Sequence, residues 1–226
     1  MNLGFVPLVV ALLPFTAIHV CYLIAASQGH VPWCIPYVDA CTAISATGRQ
    51  SPESHVFRAA IIPSGTLMLV YWVLVSAWLK TLLNRMAALR RTMVCFGLIA
   101  GLGLIAYATV LGEIGDGFTL QRRIGVRLFF GFTVLAQLLM AIQVDAASRQ
   151  NPALELARAA HFLLAVSAAT FLLGLISLVL WALYAGFDHI EHAFAWWLAL
   201  LVLLHPLTVF VIWRTHGFQA RFHFSA

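Results

Sequence analysis

The chain has 226 residues, of which 62% are hydrophobic and 9% charged, with a formal net charge of +5. Soluble domains carry about 25% charged residues and about 45–50% apolar ones, so a water-soluble globule is excluded and lipid is the fitting solvent. In so apolar a chain, basic residues set topology and touch anionic lipid heads rather than bind nucleic acid.

A helix needs about 20 apolar residues to cross about 30 Å of hydrocarbon. Six stretches qualify, at about 4–26, 59–84, 92–112, 125–147, 159–184 and 193–213. Barrel strands would alternate apolar and polar residues, and FLLGLISLVLWALYAG at 171–186 does not. The expected fold is all-α, a single-domain six-transmembrane-helix bundle with a structured first outer loop at 27–58.

No basic residue precedes the first span and no A-x-A-like site ends it, so it is expected to be a retained helix rather than a signal peptide. The loop 27–58 mixes Trp33, Ile35, Tyr37, Val38 and Ile44 with Pro32, Pro36, Gly48 and Pro52. That composition predicts a folded cap. Cys34 and Cys41 lie within it, where an oxidising compartment permits either a disulfide or two free thiols. Cys21 and Cys95 are expected to be small buried side chains.

Arg58 opens the second span, placed to snorkel to phosphate heads or to pair with Glu113 or Glu191. In the third span Gly97, Gly101 and Gly103 predict close helix packing. Gln137 in the fourth span, and Ser167 and Thr170 in the fifth, are read as interhelical hydrogen bonders. A membrane heme would need two facing histidines; of His19, His161 and His205 only the last two share a half of the bundle. No cofactor is expected.

The loop before the last span reads GFDHIEHAF. Asp188, His189, Glu191 and His192 are the candidate acid/base residues there, and Asp188, His189 and His192 the candidate metal ligands. Helix capping by the acids is the plainer use. Pro206 should free a carbonyl one turn earlier and kink the last span. Trp72, Trp78, Trp181, Trp196, Trp197 and Trp213 are expected near helix ends, as interfacial belts.

Charge orients the bundle. One side holds Lys80, Arg85, Arg90, Arg91, Arg149, Arg158, Arg214 and Arg221 against only Asp145 and Glu155. The other holds Arg49, Arg58, Arg122, Arg123 and Arg127 with Asp39, Glu53, Glu113, Asp116, Asp188 and Glu191. Basic loops stay inside. Both termini are therefore expected in the cytoplasm, in a plasma membrane or the inner membrane of a bacterium.

The segment PYVDACTAISATGRQSPESHVFRAAIIP at 36–63 resembles the signature of the DRAM/FRAG/Sfk family of six-span membrane proteins. The matches are Pro36, Tyr37, Ile44, Ser45, Thr47, Gly48, Pro52, Glu53, Val56 and Phe57. Cys41 and Arg58 look like the GPI-anchor lipid-remodelling branch, whereas Thr47–Gly48 looks more like the autophagy-modulator branch. Gly125 with Phe129–Phe130, and Glu191, are further echoes. The chain departs at Arg122, where the family pattern has histidine, and at His192, where it has an aromatic residue.

The resemblance implies a lipid-linked role. The preferred expectation is a non-catalytic lipid-handling protein that recognises a headgroup or a membrane-protein partner, with Ser45, Arg58 and Glu191 at the mouth. The alternatives are an outer-leaflet lipid hydrolase or acyltransferase built on the 188–192 cluster, and a small-molecule transporter.

Overall fold

The structure, a computed structural model, describes residues 3–218; Met1 and the basic Arg221 lie outside the described residues. After one 3-10 turn at Leu3–Phe5, helices follow as α1 (Val6–Ser27), a short α2 (Pro36–Asp39), α3 (Glu53–Leu82), α4 (Ala87–Thr109), α5 (Asp116–Gln150), α6 (Ala157–Leu183) and α7 (Glu191–Thr215). All but α2 are long and apolar enough to cross a membrane. Helices satisfy every backbone group within the segment, as hydrocarbon demands. Among the described residues there is no strand.

Three helices begin earlier than their apolar runs. α3 starts at Glu53, α4 at Ala87 and α5 at Asp116, against expected starts near 59, 92 and 125. Helical geometry extends into polar sequence there because the polar side chains have helix-borne work. Gly115 (φ 141°) supplies the turn into α5 that a side chain would obstruct, and Asp116 complements the new N-terminus.

Each long helix packs on its sequence neighbours, and α7 returns to α1. The six therefore close a ring, with α2 resting on α7 at the end that carries residues 28–52. That end is the cap side and the other the tail side.

The seam α3–α4–α5 is built from glycine. A Cβ on Gly125 would lie 2.7 Å from the Gly103 carbonyl, and one on Gly103 2.9 Å from the Gly125 carbonyl. Gly65 and Gly101 face each other in the same reciprocal way, and the Trp72 indole covers Gly97. The expected small-residue packing is therefore present. It carries the backbone contact that membrane helices need where water supplies no hydrophobic drive.

Several side chains sit elsewhere than expected. Trp78, Trp196 and Trp213 do lie near helix ends, but with Trp72 they are buried inside the bundle rather than set in an interfacial belt; only Trp33, Trp181 and Trp197 are exposed. Large rings fill the space opposite small residues, as at Gly97. Cys21 is buried, but Cys95 points outward from α4, where lipid replaces protein packing.

The cap is tied to the ring by hydrogen bonds from aromatic side chains. Cys34 and Cys41 form a disulfide. The Tyr22 hydroxyl donates to the Cys34 carbonyl (2.7 Å) and accepts from its N–H (2.8 Å). The Trp196 indole donates to the Thr42 carbonyl (2.9 Å) and the Trp197 indole to that of Tyr37 (3.0 Å). His19 Nδ1–H donates to Phe15 O (2.7 Å), which leaves Nε2 to accept from the Tyr37 hydroxyl (3.0 Å). Burial lifts the Tyr37 phenol above its ordinary value and keeps it a donor.

Candidate functional site

Inside the ring lies a cavity of about 900 Å³. Its lining runs along α7 from Glu191 to Pro206, about 22 Å at 1.5 Å per residue. This exceeds the ~15 Å half-thickness of a hydrocarbon core. Below the cap its walls are apolar and aromatic, with Val10, Pro14 and Ile18 on one side, Met68 and Trp72 on another, and Phe129 and Phe130 opposite. The cap contributes Cys41–Ala46 and His30.

The mouth is cationic. Arg49 from the cap and Arg122, Arg123 and Arg127 from α5 line it, against a single carboxylate, Glu191. The other acids of this side are engaged or turned away. Asp39 accepts the Ile35 N–H (2.7 Å), Glu53 is buried against His30 Nδ1 (2.7 Å), and Glu113 pairs with Arg58 (2.9 Å). Asp116 and Asp188 are exposed and do not line the cavity. A side that is nearly balanced by count is thus segregated in space.

The arginines divide into two kinds. Arg58 donates from Nε (3.2 Å) and Nη2 to the Leu111 carbonyl, and its pairing with Glu113 is one of the two expected for it. Arg122 donates to the carbonyls of Val110 (3.3 Å) and Glu113 (2.7 Å) and to Thr119 Oγ1 (2.9 Å). Gln121 adds a bond to the Ala106 carbonyl (2.9 Å). The last carbonyls of a helix have no partner within it, and cations suit that end of the dipole. Gln121 and Arg122 therefore finish α4 at Ala106 and Val110, and Arg58 holds the turn beyond it at Leu111. Arg123 and Arg127, one turn apart on α5, line the cavity with no hydrogen bond or ion pair among the described residues.

The residues singled out from sequence are thus divided. Ser45 and Glu191 line the cavity. Arg58 does not line it. His192 does, its Nδ1 3.5 Å from a Glu191 oxygen, while Asp188 and His189 stay outside. Among the described residues no three of His, Cys, Asp and Glu come together as a metal site. His161 is exposed and His205 fully buried, so the two do not face each other.

At the cavity floor Pro206 has no N–H for the carbonyl of Val202, four residues earlier. Gln137 Nε2 supplies the donor at 2.8 Å, bridging α5 to α7. The expected interhelical role of Gln137 is therefore met at the very carbonyl that Pro206 frees. Thr170 instead bonds back to Val166 within α6 (2.7 Å), and Ser167 Oγ finds no partner among the described residues.

Sequence reasoning missed Arg49, Arg123 and Arg127 as a group. The available signal was the i, i+4 spacing of Arg123 and Arg127 in line with Phe130, which places them on one helical face.

Comparison with curated proteins finds no match, and comparison with solved structures likewise finds none. The family model described as the Frag1/DRAM/Sfk1/Cwh43P N-terminal domain matches residues 2–211. With nearly the whole chain covered and all six spans in place, the protein belongs to the Frag1/DRAM/Sfk1 family of multi-pass membrane proteins.

Proposed function

We propose that this protein binds a membrane lipid with an anionic headgroup, its phosphate at the arginine-lined mouth and its hydrocarbon in the apolar shaft. The observation that carries the reading is the pairing of unpartnered Arg123 and Arg127 with a deep apolar cavity beneath them. Arginine matches phosphate geometry with a planar fork of donors. Sites that enclose small molecules are mostly apolar with a few placed polar groups. A soluble anion would leave the shaft unused, and a neutral hydrocarbon would leave the arginines unused.

Basic residues of the tail-side loops favour a cytoplasmic tail side, which turns the cap and the mouth to the exterior. The lipid would then belong to the outer leaflet. Binding without chemistry is the reading adopted, since Asp188 and His189 do not join Glu191 and His192 at the mouth.

The test is reconstitution into nanodiscs of phosphatidylcholine with a minor fraction of phosphatidylglycerol, followed by mild extraction and lipid quantification. Wild type should retain phosphatidylglycerol above its share of the disc, and Arg123→Gln/Arg127→Gln should return it to that share. Equal retention by the two proteins, both folded, would refute the proposal.

A further inference from the structure

The ring is not equally tight all round. Only 22% of the most apolar stretch of α6 is buried, against 33–44% in the other five long helices. Its buried positions, Ala160, Leu163, Val166, Ser167 and Thr170, all lie in the tail-side half. From Phe171 to Gly186 no residue is buried, and the face that continues the packed stripe consists of half-exposed Leu173, Gly174, Ser177 and Leu180. A Cβ built on Gly174 meets no atom within 4 Å.

The cavity lies on the inner side of this loosely packed stretch. α5 and α7 both contribute lining residues, and α6 contributes none, although α6 stands between them in the ring. α5 and α7 are joined by the Gln137–Val202 bond. Gln137, Thr170 and Val202 each stand about 13 residues from the tail-side end of their helix, about 20 Å at the helical rise. The packing of α6 therefore stops at the level of that bridge. Above it the lining residues Phe130, Ala195 and Ala199 are only half-buried, and Arg127 is exposed.

Resting on the lipid-binding reading, we infer that a lateral entrance lies between α5 and α7 beside the cap-side half of α6. Through it the acyl chain of a glycerophospholipid passes from the surrounding leaflet into the shaft. The ligand is then a resident of the bilayer, with its headgroup sliding along the interface to Arg123 and Arg127 and never crossing water. Such a route removes the cost of exposing an acyl chain to water, which grows with every methylene. A cap pinned by a disulfide and by two tryptophans need not open for it.

The experiment measures the rate at which the full-length protein in nanodiscs takes up phosphatidylglycerol carrying pyrene on one acyl chain, delivered from added vesicles. Gly174→Trp fills the open space on α6 without touching the cavity lining, and Leu102→Trp puts the same bulk on the outward side of α4. The entrance predicts uptake slowed at least tenfold by Gly174→Trp, unchanged by Leu102→Trp, with equal amounts bound at equilibrium. Should Gly174→Trp fail to fold, Ser177→Trp, one turn nearer the cap, carries the same expectation. Unchanged uptake with normal retention would overturn the entrance and leave lipid binding standing. A wild type that retains no phosphatidylglycerol would overturn both.

Discussion

The two sides of this bundle solve the same problem in opposite ways. Along α3–α4–α5 the backbones touch, with glycine set against glycine at Gly65–Gly101 and Gly103–Gly125. Along the cap-side half of α6 an added side chain would meet nothing at Gly174. Both regions are apolar, and α6 contains the most apolar stretch of the six long helices. Hydrophobicity alone therefore does not make helices associate in lipid; the fit of one backbone on another does.

The comparison breaks most easily at its tight end. Gly125→Leu should drive a side chain into the Gly103 carbonyl and the backbone of Tyr107, and overpacking of this kind costs about 1–3 kcal/mol or more. A thermal aggregation scan in detergent should show a large fall in its midpoint or no folded protein. Gly174→Leu should leave the same midpoint almost unmoved. Equal effects at the two glycines would mean that the contrast between the regions is not real.

Smaller effects sharpen it. Arg58→Ala removes charged donors from the turn after α4, and hydrogen bonds to charged groups are worth about 1.5–3 kcal/mol. It should lower thermal stability while leaving the bound lipid unchanged. Arg123→Gln/Arg127→Gln should do the reverse, since these side chains hold nothing together within the bundle. Gln137→Leu leaves the Val202 carbonyl bare beside Pro206, and a loss of about 1–2 kcal/mol is expected. Denaturant titration in micelles reads that loss.

Much of this architecture was legible in the residues. Six apolar runs, a folded cap and the glycines of α4 follow from length, composition and spacing. Pro206 announced a freed carbonyl, and Gln137 an interhelical bond, but only helix rotation shows that they are one interaction. The charge pattern hid more. Counting by side gives near balance, because a count does not register that Asp39 and Glu113 are bonded away from the cavity and that Glu53 is buried against His30. Arg58 stood out for its place before an apolar run, yet its geometry spends it on the turn after α4. The looseness of α6 was not legible at all, since a helix facing lipid and one facing protein are equally apolar and the usual amphipathic stripe disappears.

Lipid binding, as proposed, requires that the cavity beneath the arginines hold one anionic lipid. Native mass spectrometry of the full-length protein, released gently from its own membrane, addresses it most directly. A single adduct with the mass of an acidic phospholipid is expected on the wild type, lost from Arg123→Gln/Arg127→Gln and kept by Arg58→Ala. A wild type that emerges bare, or an adduct that survives the double arginine change, would contradict it.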